Sequence, residues 1–139
     1  MRASELGRPG TWDVLVVDDE EVVGDSIRLV LGAAGMRVAV ARDAGSALAH
    51  PALATCKLVL CDLMLPDRPG TELVRAIRSR HPEVPVVVIT GYATTIGNAQ
   101  AMEAGATDFL AKPFDDGELL AVVWRALAAQ ASGPKERRS

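Results

Sequence analysis

The chain has 139 residues, of which 49% are hydrophobic, and its formal net charge is −3. This length fits one domain with a buried core, and the composition argues against disordered and fibrous proteins. A nucleic-acid-binding module would be expected to be basic, and no apolar run approaches the roughly 20 residues of a membrane helix. We therefore expect no direct contact with nucleic acid and no membrane insertion.

The amino-terminal segment and the cysteines bear on the compartment. No apolar stretch follows the first charged residues, so the segment does not resemble a signal peptide. Cys56 and Cys61 lack the C-x-x-C spacing and the histidine partners of a metal or redox site, and we interpret them as small buried hydrophobic residues. These features predict a cytoplasmic protein.

Two kinds of segment alternate along the chain. Short apolar runs, typical of strands buried on both faces of a parallel sheet, occur at 12–17, 37–41, 58–61, 84–89 and 108–111. Segments with helical spacing occur at 22–31, 44–49, 73–77, 95–104 and 115–127. Gly35 is a stop signal after the first helix, Pro51 closes the second, and Asp115 with Glu118 has the spacing of a capping box before the last.

Five strands that alternate with five helices predict an α/β fold of the flavodoxin-like (βα)5 kind. We expect a doubly wound, five-stranded parallel sheet with helices on both faces. The domain is predicted to span residues 12–130, between disordered segments at 1–11 and 131–139. In such sheets a ligand binds outside the carboxyl ends of the strands, so the polar residues at those ends should form one cluster.

The residues at those ends are chemically compatible with one another. Strand one is followed by Asp18, Asp19 and Glu20, strand three by Asp62, strand four by Thr90, and strand five by Lys112 and Pro113. Carboxylates gathered at one edge repel one another unless a cation neutralises them, and Mg²⁺ prefers such oxygen ligands. We expect Asp19 and Asp62 to bind Mg²⁺ directly and Asp18 to act largely through water.

Asp62 is the candidate nucleophile, because it stands alone at the end of the central apolar run. A carboxylate can attack phosphorus to form an aspartyl phosphate, whose oxygens Lys112 and Thr90 could bind. The Lys112–Pro113 bond is a candidate cis peptide. Simpler interpretations remain: Asp18 and Asp19 could cap the first helix, Thr90 could be a loop hydroxyl, and Lys112 a solvated surface charge.

Four segments together resemble a known family. They are VVDDE at 16–20, LCDLMLP at 60–66, ITGY at 89–92 and GATDFLAKPF at 105–114. In order and spacing, over about residues 12–130, they resemble the CheY-like receiver domain of two-component response regulators.

The resemblance implies a role for each residue. Asp62 would accept a phosphoryl group from a sensor histidine kinase or a phosphotransfer protein. Thr90 and Lys112 would bind the phosphoryl oxygens, and Phe109 matches the aromatic switch position. Mg²⁺ would be held by Asp18, Asp19, Asp62 and the backbone carbonyl of Met64. Such a domain signals and is not a turnover enzyme. Its fourth helix, fifth strand and fifth helix would form the surface that binds a partner, an output domain or a second copy.

Three other functions compete with this interpretation. A phosphatase of the haloacid dehalogenase type also uses an Asp nucleophile with Mg²⁺, but it would want an Asp where this chain has Met64. A receiver-like interaction module could have lost phosphorylation, and a flavodoxin-like electron carrier would share only the fold. Within the receiver interpretation, we expect the bulk of Met64 and Tyr92 to limit attack by water on the phosphoryl group.

Overall fold

The computed structural model describes residues 6–91 and 95–137. Its strands are β1 (Val14–Val17), β2 (Val38–Ala41), β3 (Leu58–Asp62), β4 (Val86–Thr90) and β5 (Asp108–Ala111). Its helices are α1 (Glu21–Ala33), α2 (Ala44–Ala49), α3 (Ala52–Thr55), α4 (Gly70–Arg80), α5 (Thr95–Ala104) and α6 (Asp116–Arg137). The strands pair in parallel in the order β2-β1-β3-β4-β5, which confirms the predicted doubly wound sheet.

The core has one layer on each face of the sheet. All residues of β1, β3 and β4 are buried, as expected for nearly continuous apolar runs in a parallel sheet. One cluster packs α2 to α5 against the sheet and includes the fully buried Leu73, Val74 and Ile77, and the other packs α1 and α6 against the opposite face. The two layers fix the strands, and therefore the residues at their carboxyl ends.

Local signals in the sequence account for several element boundaries. Asp115 and Glu118 form the predicted capping box: the amide of Glu118 donates to Asp115 Oδ1 at 2.7 Å, and the amide of Asp115 donates to Glu118 Oε1 at 3.1 Å. Gly35 follows α1 with a φ of +93°, a conformation that glycine adopts without strain. The Lys112–Pro113 peptide bond is cis.

The structure differs from the predicted elements in two places. The second crossover contains two short helices, because Pro51 ends α2 and a further turn, α3, begins one residue later. The chain therefore has six helices in the described residues, and the fourth and fifth predicted helices are α5 and α6. In addition, α6 continues to Arg137, beyond residue 130 at which the pattern predicted the end of the domain.

The buried carboxylate of Asp13 contacts the segment before β1, while the disorder that the sequence predicted for residues 1–11 stays a prediction. Asp13 Oδ2 accepts hydrogen bonds from the amides of Gly7 at 2.8 Å and Arg37 at 2.7 Å. Lys57 Nζ lies 3.6 Å from Asp13 Oδ1. The guanidinium group of Arg37 stacks over the Trp12 ring at 4.7 Å. These contacts lie at the amino-terminal ends of β1 and β2, opposite to the predicted ligand site.

The loop between β3 and α4 is possible only because α4 begins with a glycine. A Cβ atom at Gly70 would lie 2.4 Å from the carbonyl oxygen of Asp62 and 2.6 Å from the Cα of Leu63. Both are backbone atoms, which cannot rotate away as a side chain would. The amide of Gly70 also donates to the carbonyl of Leu63 at 2.8 Å. The close approach brings α4 directly against the end of β3.

We predict that Gly70→Ala lowers the free energy of unfolding by about 1–3 kcal/mol, the usual cost of overpacking. The matched control is Gly32→Ala: Gly32 is in α1, and a Cβ there meets no atom within 4 Å. That change should raise the free energy of unfolding by up to about 1 kcal/mol, because alanine favours a helix. Urea denaturation of both variants checks the prediction, and equal effects would contradict it.

We predict that Asp13→Ala lowers the free energy of unfolding by about 2–3 kcal/mol, because two backbone amides lose their acceptor. Asp25→Ala is the control, since Asp25 forms an exposed ion pair with Arg28 on α1. Its effect should stay within about 0.5 kcal/mol. Chemical denaturation at neutral pH measures both free energies of unfolding. A loss for Asp13→Ala no larger than for the control would show that the hydrogen bonds to Asp13 add no stability.

Candidate functional site

The carboxyl ends of the strands bring together side chains that are far apart in the sequence. Asp18 follows β1, Asp62 ends β3, Thr90 ends β4, and Lys112 follows β5. Because β3 lies between β1 and β4, these ends are neighbours along one edge of the sheet. Asp18 and Asp62 are 0% and 4% exposed. Two buried carboxylates at one edge need a compensating cation.

Lys112 provides one positive charge next to these carboxylates. Its Nζ lies 2.9 Å from Asp62 Oδ2, 3.0 Å from Asp18 Oδ2 and 3.0 Å from Glu20 Oε1. Partial burial acts to lower the pKa of Lys112, but its contacts with the carboxylates of Asp62, Asp18 and Glu20 outweigh burial and raise that pKa. The ammonium group is therefore charged, and one cation is shared by three carboxylates.

The site still has an excess of negative charge. Asp18 Oδ2 is buried and accepts no well-directed hydrogen bond in the described part of the chain, so its contact with Lys112 is an ion pair alone. Desolvation by burial raises the pKa of Asp18, although the Glu20 amide and Lys112 oppose the shift. Carboxylate oxygens of Asp18, Glu20 and Asp62 lie within 4.8 Å of one another. This donor set, hard oxygens with uncompensated charge, fits a divalent cation such as Mg²⁺.

Asp18 shapes the start of α1 without capping it. Its Oδ1 accepts the amide of Glu20 at 2.9 Å, which is an Asx-type turn. Glu20 is the residue at the N-cap of α1, and its own side chain makes no capping bond. The alternative in which Asp18 simply caps the first helix is therefore not observed. The turn also directs Glu20 toward Lys112.

The acidic residues predicted from the sequence to bind a metal differ from those that lie close together in the structure. The sequence selected Asp18, Asp19 and Asp62, whereas the structure brings together Asp18, Glu20 and Asp62. Asp19 is exposed and does not belong to this group, and its role as a ligand stays a prediction. Sequence reasoning assigned no role to Glu20. The available signal was its position two residues after Asp18, where an Asx turn holds it at the site.

The candidate acceptor is held on both of its oxygens. Asp62 Oδ1 accepts the amide of Met64 at 2.9 Å, and Asp62 Oδ2 accepts from Lys112 at 2.9 Å. The amide of Leu63 donates to the carbonyl of Ile89 at 3.1 Å, which continues the pairing of β3 with β4. The side chain of Met64 is 64% exposed beside this carboxylate. Only a small solvent-facing part of Asp62 is left for a reacting group.

Thr90 and Phe109 lie on neighbouring strands. Thr90 is 1% exposed, and its carbonyl accepts the amide of Lys112 at 2.8 Å. A cleft of about 260 Å³ opens beside it, lined by Leu63, Met64, Pro69, Thr71, Thr90, Gly97 and Gln100. Phe109 pairs with Val88 in β4 and is 38% exposed. Tyr92, the other residue expected to limit attack by water, is outside the described residues.

Within the described residues, none of the helices combines the length and the apolar character needed to span a bilayer.

Comparison with known proteins gives a consistent result. The sequence model of the response regulator receiver domain matches residues 14–124. The response regulator protein PilR of Pseudomonas aeruginosa is 40% identical over 113 residues, which are 81% of this chain and 25% of PilR. The sensory transduction protein RegX3 of Mycobacterium tuberculosis is 37% identical over 108 residues, or 78% of this chain and 47% of RegX3. This chain thus spans from a quarter to about half of these relatives.

Solved structures agree with the sequence relatives. A CheY-like response regulator receiver domain protein from Methanospirillum hungatei has a TM-score of 0.82 and 30% identity, covering 89% of this chain and 99% of that one. The receiver domain of NtrX from Brucella abortus has a TM-score of 0.78 and 38% identity, covering 84% of this chain and 98% of that one. The chain therefore belongs to the response regulator receiver domain family and is a receiver domain of two-component signal transduction.

Proposed function

We propose that Asp62 is the residue on which this receiver domain accepts a phosphoryl group. The observation that supports this most directly is the environment of its carboxylate. The Met64 amide holds one oxygen and Lys112 the other, and a second buried carboxylate, Asp18, lies at the same ammonium group. A structural ion pair would need one acid for one base. Here the acids outnumber the base, as expected for a site that also holds a metal and a phosphoryl group.

Mg²⁺ is the proposed cofactor, as receiver domains generally depend on it. Asp18, Asp19, Asp62 and the backbone carbonyl of Met64 would hold it, and the position of Glu20 makes Glu20 a further candidate. When bound, the metal would neutralise charge on the transferring phosphoryl oxygens. The Oδ2 of Asp18 supports a metal here, since it is buried without a hydrogen bond and the cation that it faces is shared with Glu20 and Asp62.

The reaction would proceed by direct displacement at phosphorus. An oxygen of Asp62 attacks, a P–O bond forms, and the P–N bond to the histidine of the kinase or phosphotransfer protein breaks. The Met64 amide keeps the other Asp62 oxygen in place. Lys112 and the Thr90 hydroxyl would bind the phosphoryl oxygens, as a mobile cation and a neutral donor. The domain would catalyse its own modification and then signal, without turning over a substrate.

Phosphorylation would change which groups Lys112 contacts. The phosphoryl group adds negative charge and acceptor oxygens at Asp62, which compete for Lys112 and attract Thr90. Movement of Thr90 toward Asp62 would enlarge the cleft beside it, into which Phe109 could turn from its exposed position. We infer from this arrangement that the exposed Phe109 belongs to the resting state.

The surface of α5, β5 and α6 is the proposed output. Met102, Phe109 and Trp124 are exposed apolar side chains, one on each of these three elements. An ion pair between Asp108 and Arg125, 2.7 Å long, joins β5 to α6 at this surface. A partner, an output domain or a second copy of the chain could bind here. We expect the cycle to take place in the cytoplasm, with no direct nucleic-acid contact by this domain.

We predict that the protein incubated with Mg²⁺ and acetyl phosphate gains one phosphoryl group. The Asp62→Asn variant should gain none, because an amide oxygen is a poor nucleophile and forms no aspartyl phosphate. EDTA should also abolish the gain in the wild type. Intact-mass spectrometry measures the adduct, and circular dichroism establishes that both proteins are folded. A folded wild-type protein that forms no adduct would favour the phosphorylation-independent interaction module.

We also predict that Met64→Asn speeds the loss of the phosphoryl group. Met64 is exposed next to the acceptor, and an Asn side chain could donate to or accept from an attacking water molecule. One hydrogen bond of about 1 kcal/mol corresponds to about fivefold in rate. Met102→Asn, which changes an exposed Met on α5, is the control and should leave the rate unaltered. Equal lifetimes of the phosphorylated form in all three proteins would refute the role of Met64.

A further inference from the structure

The loop between β3 and α4 carries the backbone groups nearest to the acceptor. Met64 donates its amide to Asp62, and Met64 and Pro69 form an isolated antiparallel bridge across the loop. Gly70 closes the base of the loop against Leu63. These contacts fix the two ends of the loop. They leave the tip, residues 66–68, dependent on other contacts.

Asp67 supplies a contact for the tip. Its Oδ1 accepts the amide of Ala44 at 3.0 Å and its Oδ2 accepts the amide of Gly45 at 2.9 Å. Both amides belong to the first turn of α2, where backbone N–H groups have no partner within the helix. The two backbone hydrogen bonds lower the pKa of Asp67, so its carboxylate is ionised at neutral pH. A loop from one side of β3 is thereby fastened to a helix that follows β2.

Capping of α2 does not by itself explain this contact. The helix has its own N-cap: Asp43 accepts the amide of Ser46 at 2.6 Å. One Asp within the same turn is the usual arrangement. The second Asp comes from a segment 22 and 23 residues away from the two amides that it accepts. What the second carboxylate adds is a fixed position for the loop that contains Met64.

We propose that Asp67 is a positioning residue for the phosphorylation site: its two hydrogen bonds to α2 hold the acceptor loop, and with it the backbone of Met64, in the arrangement that binds Mg²⁺. This inference rests on the proposed function of Asp62. Asp67 does not contact the reacting atoms and acts through the loop. Loss of a supporting contact behind a metal ligand typically costs 10- to 100-fold in metal affinity.

The test compares Asp67→Ala with Asp43→Ala. Each change removes one carboxylate that accepts backbone amides in the first turn of α2, two at Asp67 and one at Asp43, so the loss of charge is matched and both variants lose helix capping. Isothermal titration calorimetry with MgCl₂, without a phosphodonor, measures the dissociation constant. We expect Asp67→Ala to raise it by about tenfold, at the lower end of effects on metal-supporting contacts. Asp43→Ala should leave it within about twofold, because Asp43 bonds the amide of Ser46 within its own turn and does not connect α2 to the loop that contains Met64.

A further variant, Asp67→Asn, and a further measurement, hydrogen exchange of the Met64 amide, test the proposal independently. The side-chain amide keeps one acceptor oxygen and replaces the other with a donor, so the Mg²⁺ affinity of Asp67→Asn should fall between wild type and Asp67→Ala. Hydrogen exchange by NMR should show faster exchange of the Met64 amide in Asp67→Ala and no change there in Asp43→Ala. A role confined to helix capping would not move this amide.

The outcomes separate the inference from the function on which it rests. Equal Mg²⁺ affinities for Asp67→Ala and Asp43→Ala, or an unchanged Met64 amide in Asp67→Ala, would overturn the positioning role while phosphorylation of Asp62 in the wild type could still be observed. A wild-type protein that binds no Mg²⁺ and forms no adduct would overturn the proposed function, and the inference with it.

Discussion

The structure has to compensate two negative charges, the carboxylates of Asp18 and Asp62, that are buried side by side. Each is a charge removed from water, and the pair is stable only next to the ammonium group of Lys112. The fold supplies that group from two strands away. A strand spacing of about 4.8 Å places β5 about 10 Å from β3, so the cation must be carried on a long side chain. The strand order, the buried ends of β1 and β3 and the lysine after β5 therefore form a single electrostatic arrangement.

The two buried aspartates at opposite ends of β1 have different surroundings. Asp13 directs one oxygen at two backbone amides and has Lys57 beside the other, so its contacts serve the fold. Asp18 has one oxygen in a local turn, while the other has only a cation that it shares with Asp62 and Glu20. Both residues are fully buried, and burial alone does not distinguish them. Each keeps one buried oxygen that accepts no hydrogen bond from the described residues, Asp13 Oδ1 and Asp18 Oδ2. The difference lies in the surrounding charge, because the lysine beside Asp18 is shared by three carboxylates, an excess of negative charge that a further cation could offset.

The sequence predicted the sheet and most of the site, for physical reasons that are local. Apolar runs specify the strands, a capping box and Gly35 specify helix ends, and the rule that ligands bind at the carboxyl ends of parallel strands brought Asp18, Asp62 and Lys112 together. What it could not predict depends on contacts between segments. The hydrogen bonds that Asp67 accepts from Ala44 and Gly45 join a loop to the start of α2, two segments that share no sequence pattern. The place of Glu20 beside Lys112 depends on the turn at Asp18, and the contact of Gly7 with Asp13 joins segments on either side of residues 8–12.

The contacts of Lys112 in the unphosphorylated domain also determine what a phosphoryl group must compete with. A phosphoryl group shifts the equilibrium only by interacting differently with the two states, and its main new partner is a cation already engaged by three carboxylates. The Lys112 amide is bonded to the carbonyl of Thr90, so the backbone at both residues responds together. β5 is four residues long and carries Phe109, and Asp108 at its start is bonded to Arg125 of α6. A change in the partners of the Lys112 ammonium group is therefore connected through the short strand β5 to α6 and to the surface proposed as the output.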